Sequence, residues 1–289
     1  MGGARSEEEL KEFLYNMFKD KRIISSPIRH ILAPLISNLR YKKVWKNYEK
    51  IGGSRIYTLT EKLANKMKNY TNYDVLYAMR YTKPFLNDII HKYDEVIFLP
   101  LYPHYSFTTF ESSLDDLKST NFKGKVSIVN PFFEKKEFNE IIKENILKEI
   151  DNPKEWNLIF SAHGIPQKLV EKGDKYYAHI SKHVEILKEM LPEFKSISLA
   201  FQSRFGPTKW LEPYLDDELQ KYKNQKVVIY PLSFMIDNSE TDLELKIEYK
   251  HLAENLGMEY KVISAPNDNE KVAKFLAELA HESSNSKSE

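Results

Sequence analysis

The sequence predicts an α/β fold of parallel sheets, arranged in two halves. Three observations carry that reading. Short apolar runs recur between amphipathic stretches. Most of these runs are continuous rather than alternating, which marks strands covered on both faces. Polar and ionisable side chains gather where the runs end, the place where open α/β sheets put their ligands.

Strands are expected over 73–80 (YDVLYAMR), 95–101 (EVIFLPL), 125–130 (KVSIVN), 156–161 (WNLIFS), 196–202 (SISLAFQ), 226–232 (KVVIYPL) and 259–264 (EYKVIS). Each is rich in β-branched and aromatic residues and is bounded by turn formers. Helical periodicity falls over 7–18, 58–69, 84–92, 136–149, 179–190, 210–221, 239–256 and 269–281. The stretch 131–136 (PFFEKK) reads as a crossover, dividing the chain into 1–130 and 131–281. The polar tail 282–289 (ESSNSKSE) is expected to fray.

Composition narrows the function. The 289 residues carry 43 basic and 42 acidic side chains, a net charge of +1, so no global charge draws the chain to nucleic acid. There is no cysteine. That removes disulfides, thiolate chemistry and an iron–sulfur cluster, and leaves His, carboxylate or other oxygen groups as metal ligands. No run is long enough to span a membrane and the first residues have no signal-peptide pattern, so a soluble cytoplasmic protein is expected.

The strand ends hold the candidates. The run 156–159 leads into Phe160-Ser161-Ala162-His163-Gly164-Ile165-Pro166, a histidine among small residues at a strand end. After 226–232 comes Ser233-Phe234-Met235-Ile236-Asp237-Asn238-Ser239-Glu240. Ser239 with Asp242 resembles a capping box, so a helix is expected to start there. Glu240, Glu244 and Glu248 then repeat every four residues and form an acidic stripe, straighter still if the helix contains a π-turn. Carboxylates crowded on one face repel unless a cation or mobile protons lie between them. A lone histidine is more often structural and an acidic stripe more often a solvated face; their joint pattern raises both.

That pattern, in order, resembles the ferrochelatase family. The motifs are "MGG…FLYNMF" at the start, "LAP" at 32–34, "NYEKIGG" at 47–53, "MRYTKP" at 79–84, "LYPHYS" at 101–106, "FSAHGIP" at 160–166, "FQSRFGPTKWLEP" at 201–213 and "DNSETDLELKIEY" at 237–249. The resemblance implies two similar Rossmann-like halves with parallel sheets, a class II chelatase-like fold with the ligand cleft between them. It implies an enzyme that inserts ferrous iron into protoporphyrin or coproporphyrin late in haem synthesis, with iron as substrate and no prosthetic group. By resemblance His163 and Glu240 are the metal-site pair, with the acidic ladder Glu240, Glu244 and Glu248 carrying protons out or guiding cations in; which of the pair binds metal and which moves protons stays open. The ring clamp implied is Phe13, Leu14, Met17, a lip over 23–36 and Trp210. The propionate anchors implied are Arg40 and Arg80, with Tyr105, Ser106, Gln202 and Ser203 as hydrogen-bond partners. The lip is also the expected place of peripheral membrane contact.

Two departures stand out. Many family members have His two residues before the metal-site Glu, where this chain has Asn238, which cannot titrate. Family chains also carry an apolar strand before "MGG", so the first strand of the N-terminal half is expected to be missing here. Three other readings remain: a cobalt chelatase of an earlier tetrapyrrole, a carrier that binds porphyrin or haem without turnover, and, more weakly, a zinc hydrolase, which would need three ligands and an open water position where only two converge.

Overall fold

The structure, a computed structural model, describes residues 1–204 and 206–285. In chain order the helices are α1 (Glu7–Lys19), α2 (Arg29–Glu49), α3 (Ile56–Met67), α4 (Leu86–Ile89), α5 (Ser112–Ser119), α6 (Lys136–Glu149), α7 (Gln167–Glu171), α8 (Tyr176–Met190), α9 (Leu215–Gln220), α10 (Tyr249–Asn255) and α11 (Glu270–Asn285). The strands are β1 (Glu95–Phe98), β2 (Lys125–Ile128), β3 (Trp156–His163), β4 (Ser196–Gln202), β5 (Lys226–Pro231) and β6 (Glu259–Val262). Two π-helical segments, Phe107–Glu111 and Glu240–Glu248, run into α5 and α10.

The described residues form two compact units. The first holds Met1–Leu101, Ser106–Asn130 and the C-terminal helix; the second holds Tyr102–Tyr105 and Pro131–Asn267. Helix α11, grouped by the sequence reading with 131–281, belongs to the first unit and packs on α3, β1 and β2. It also continues to Asn285, so the first half of the expected frayed tail is helical, while 286–289 lie outside the described residues.

In the first unit, β1 and β2 pair in parallel from Glu95↔Lys125 to Phe98↔Ile128. The run 73–80, expected as a strand, makes no ladder. Its β-prone residues have no strand beside them, and Tyr73 and Leu76 stay exposed. A strand gains its backbone bonds only from a neighbour, so propensity alone does not make one. Helix α1 starts on Ser6, whose Oγ accepts from Glu9 N at 3.2 Å, with three glutamates in the first turn favoured by the helix dipole. Leu10, Leu14 and Phe18 of α1 pack on Ala33 and Tyr48 of α2.

The second unit is a four-stranded parallel sheet in the order β4-β3-β5-β6. Central β3 is buried along its length except at His163, which matches its unbroken apolar run. Ile159, Val227 and Ile229 pack against α9, α10 and Leu245, while Ala162 and Phe201 pack against Tyr176 and Ile180 of α8. Ile159 and Ala162 point to opposite faces because side chains alternate along a strand, so helices cover both. The register sets His163 opposite Gln202 at the carboxyl end of the sheet.

Candidate active site

The carboxyl ends of β3 and β4 are held unusually close, and Gly164 allows it. Its N–H donates to Gln202 O at 2.8 Å. A Cβ there would lie 2.9 Å from that oxygen and 3.4 Å from the Trp210 ring. The turn after His163 is also tied down by Gln167 N to Lys209 O at 3.0 Å and Leu211 N to Ile165 O at 3.1 Å. Trp210 therefore flanks the histidine turn.

His163 is fixed at three points. Its backbone N–H donates to Ser233 Oγ at 3.0 Å, and its carbonyl accepts from Tyr176 Oη at 2.9 Å. Its Nδ1 lies 2.6 Å from Glu240 Oε2. A carboxylate accepts, so Nδ1 carries the hydrogen and Nε2 is the nitrogen left to take a proton or a metal. The two side chains remain about a third exposed, 37% and 33%, so the pair is reachable.

Glu240 opens the second π-helical segment. The expected cap was Ser239 with Asp242, but the cap is Asn238: its Oδ1 accepts from Glu240 N at 2.8 Å and its carbonyl accepts from Asp242 N at 2.9 Å. Asp242 instead pairs with Lys246 at 2.9 Å. The π pattern shows at the far end, where Tyr249 N–H reaches Glu244 O, five residues back. Leu243 and Leu245 are buried, which seats the segment while Glu240 and Glu244 look toward the strand ends.

Glu244 meets the same place. Ser203 Oγ donates to Glu244 Oε2 and lies 3.3 Å from Glu240 Oε2. Gln202 Nε2 donates to Glu244 at 3.4 Å, and Gln202 Oε1 is held by Ser161 Oγ at 2.7 Å. Ser203 reaches both carboxylates from a left-handed backbone, φ 67°, a conformation that side chains other than glycine adopt rarely.

The electrostatics follow. Burial alone would lower the His163 pKa, but the Glu240 carboxylate at its side outweighs burial and raises it. For Glu240, burial pushes upward and the imidazole outweighs it, leaving the carboxyl below its ordinary range. Burial first, and then the Glu240 charge, push Glu244 up to about 7.

The sequence-derived candidates thus divide. His163, Glu240, Glu244, Gln202 and Ser203 converge, with Trp210 beside them. Tyr105, also in the second unit, has its N–H on His179 Nδ1 at 3.2 Å. The others lie in the first unit. Leu14 is buried in the α1–α2 core, and Phe13 and Met17 are half-buried against it. Arg40 is half-exposed on α2. Ser106 is buried and caps the first π-helical segment through Thr108 N at 3.3 Å. Arg80 is heavily committed: Nε donates to Ser112 O and Oγ, Nη1 to Asp116 at 3.3 Å, and Nη2 to the buried Asp20 at 3.3 Å. Ser233, Tyr176 and the capping role of Asn238 were missed. All act through the backbone of a site residue, which no side-chain motif displays.

The fold defines the class first. SirB from Bacillus subtilis, solved with Fe3+, aligns with a TM-score of 0.59 over 80% of this chain and 91% of its own, at 12% identity. CbiX, the terminal enzyme of sirohaem biosynthesis in denitrifying bacteria, aligns with a TM-score of 0.52 over 78% and 90%, at 13% identity. At that identity the likeness concerns the fold, an α/β chelatase fold with parallel sheets. The family is closer. The ferrochelatase family model matches residues 1–284. A ferrochelatase of Campylobacter concisus is 45% identical, covering 96% of this chain and 94% of the relative, and one of Sulfurimonas denitrificans is 42% identical over 96% and 95%. The chain belongs to the ferrochelatase family.

Proposed function

We propose that this chain inserts ferrous iron into a porphyrin by means of the His163–Glu240 pair. The observation that carries the assignment is the 2.6 Å contact between those side chains at the carboxyl edge of the sheet. Insertion exchanges two pyrrole N–H protons for one divalent ion. Ferrous iron accepts imidazole and carboxylate ligands, and a pair rather than a closed shell leaves its other positions open for ring nitrogens. His163 Nε2 takes a pyrrole proton. Glu240, holding Nδ1–H, orients the ring and stabilises the resulting imidazolium. Glu244, with its pKa near neutrality, passes protons on through Ser203.

Asn238 holds no proton, so the role that histidine has at this position in other family members moves to Glu244, while Asn238 fixes Glu240 as its helix cap. For the ring we assign Trp210, Tyr105, Gln202 and Ser203 of the second unit; Phe13, Leu14, Met17, Ser106 and Arg40 are ring contacts by family resemblance. Arg80 reaches a propionate only by exchanging Asp20 or Asp116 for it. Protoporphyrin and coproporphyrin both fit this scheme, and we place the protein in the cytoplasm. Ile28, Ile31 and Leu35 are exposed along the lip, and we assign them to contact with a membrane surface. Among the described residues no helix is long and apolar enough to cross one.

The test is anaerobic absorbance with ferrous iron and each free-base porphyrin in turn. Catalytic conversion to the metalloporphyrin is expected. Stoichiometric binding without turnover would make the chain a carrier and defeat the assignment.

A further inference from the structure

Beyond β1, the chain runs through Pro103, His104 and Tyr105 with no ladder partner, yet all three are fastened. Pro103 O accepts from Phe132 N at 3.1 Å and Phe133 N at 3.3 Å, and Tyr105 N donates to His179 Nδ1 at 3.2 Å. His104, between them, is buried and pairs through Nε2 with His183 Nδ1 at 2.8 Å. His183, on α8 and fully buried, pairs through Nε2 with Asn139 Oδ1 at 2.8 Å.

The proton order of this chain can be derived. Asn139 Nδ2 donates to Phe133 O at 2.8 Å and to Lys135 O at 2.9 Å, so both amide hydrogens are used and Oδ1 is an acceptor. His183 Nε2 must then carry hydrogen. Burial holds this imidazole neutral, its pKa lowered to about 3, so Nδ1 is bare and accepts. His104 Nε2 must therefore carry hydrogen in turn, which leaves His104 Nδ1 as a lone pair. That atom is buried, and the chain of hydrogen bonds among the described residues ends there.

We propose that Asn139, His183 and His104 form a relay of fixed proton order that seats residues 103–105, making His104 a positioning residue for Tyr105. An apolar side chain at 104 would leave His183 Nδ1 buried without a donor and release the middle of the tether. The functional half of the proposal rests on the assignment of Tyr105 to the porphyrin. The relay itself does not.

The test compares His104→Gln with His104→Asn. Both remove the imidazole and its stacking on Phe133, but only glutamine carries an amide N–H out to the Nε2 position. Glutamine is expected to keep the porphyrin KM within about twofold, while asparagine raises it about tenfold with a smaller change in kcat. Side-chain 15N NMR is expected to show His183 with protonated Nε2 and bare Nδ1 in the parent and in the glutamine variant. A His183 protonated on Nδ1 would overturn the relay, and equal KM values for the two variants would overturn its functional half. A Tyr105→Ala variant that binds porphyrin as tightly as the parent would overturn the functional half and the Tyr105 assignment together, and the NMR result would then show whether the relay survives as a tether alone.

Discussion

Two charged clusters, one in each unit, are built on opposite plans. In the first unit, Arg80 is bracketed by Asp20 and Asp116, and Asp20 also accepts from Tyr81 Oη at 2.8 Å and from Ser112 Oγ. Arg22 likewise meets Asp115 at 2.8 Å and Glu111 at 3.4 Å. Each carboxylate named there has an arginine beside it. In the second unit, Glu240 and Glu244 share one serine hydroxyl, and the His163 imidazole on Glu240 is the base beside them, with no Lys or Arg paired to either among the described residues. A compensated cluster resists change in protonation and holds a fold in place. A deficient one binds a proton or a divalent ion readily. The contrast supports the proposal that the second cluster is the reactive one, without reference to any motif.

The sharpest way to break that contrast is to remove His163. His163→Ala is expected to lower kcat by about 10²–10⁴-fold, the range of a lost general base, while porphyrin affinity from a fluorescence titration changes little. Near-normal turnover would place the reactive site elsewhere. In the braced cluster the same kind of deletion is expected to act on stability. Arg80→Met leaves Asp20 buried without its cation and should cost about 2–4 kcal/mol in urea denaturation, somewhat under the loss for a wholly buried pair. A variant of full stability with porphyrin binding abolished would reverse the roles given to Arg80 and Arg40.

Glu244→Gln should cost about tenfold in rate, since Glu240 remains to hold the imidazole. Its pH dependence is more telling. With its carboxyl raised to about 7 from 4.5, the folded chain keeps a proton between those values that the unfolded chain has released. Stability therefore falls as pH rises through that window and levels off above it. The raised His163 acts in the same direction in a higher window: its stabilising contribution is full below 6.5 and fades as pH rises through its higher folded value. Melting temperatures of parent and Glu244→Gln between pH 4.5 and 8 should show the fall from 4.5 to 7 reduced in the variant. Parallel curves would remove Glu244 from the proton path.

How much of this was readable in the residues varied with the range of the interactions. The strands β3 and β5 were legible because burial on both faces leaves an unbroken apolar run. Helix α2 is hidden in the sequence: Ile31, Leu35 and Leu39 are exposed and Pro34 lies within it, so its apolar residues do not gather on one face. The run 73–80 misled because β-propensity is local and pairing is not. His163 and Glu240 were legible as strand-end and helix-start residues, and the π-helical segment was foreshadowed by the four-residue spacing of the glutamates. The bonds of Arg80 were hidden because its carboxylates stand 60 and 36 residues away in sequence. Asn238 read as a departure from the family pattern, whereas its structure is that of a cap, a role that a short polar side chain fills without titrating.

The central claim is that His163 and Glu240 act as one unit, and a double-mutant cycle tests it most directly. The quantity is kcat for anaerobic iron insertion in His163→Ala, Glu240→Gln and the double variant, with porphyrin affinity measured alongside. Residues that work together lose their function together, so the double variant is expected to be slower than the worse single variant by less than about threefold. If the two losses multiply in full, the side chains act independently, and the 2.6 Å contact between them would not be the basis of the chemistry.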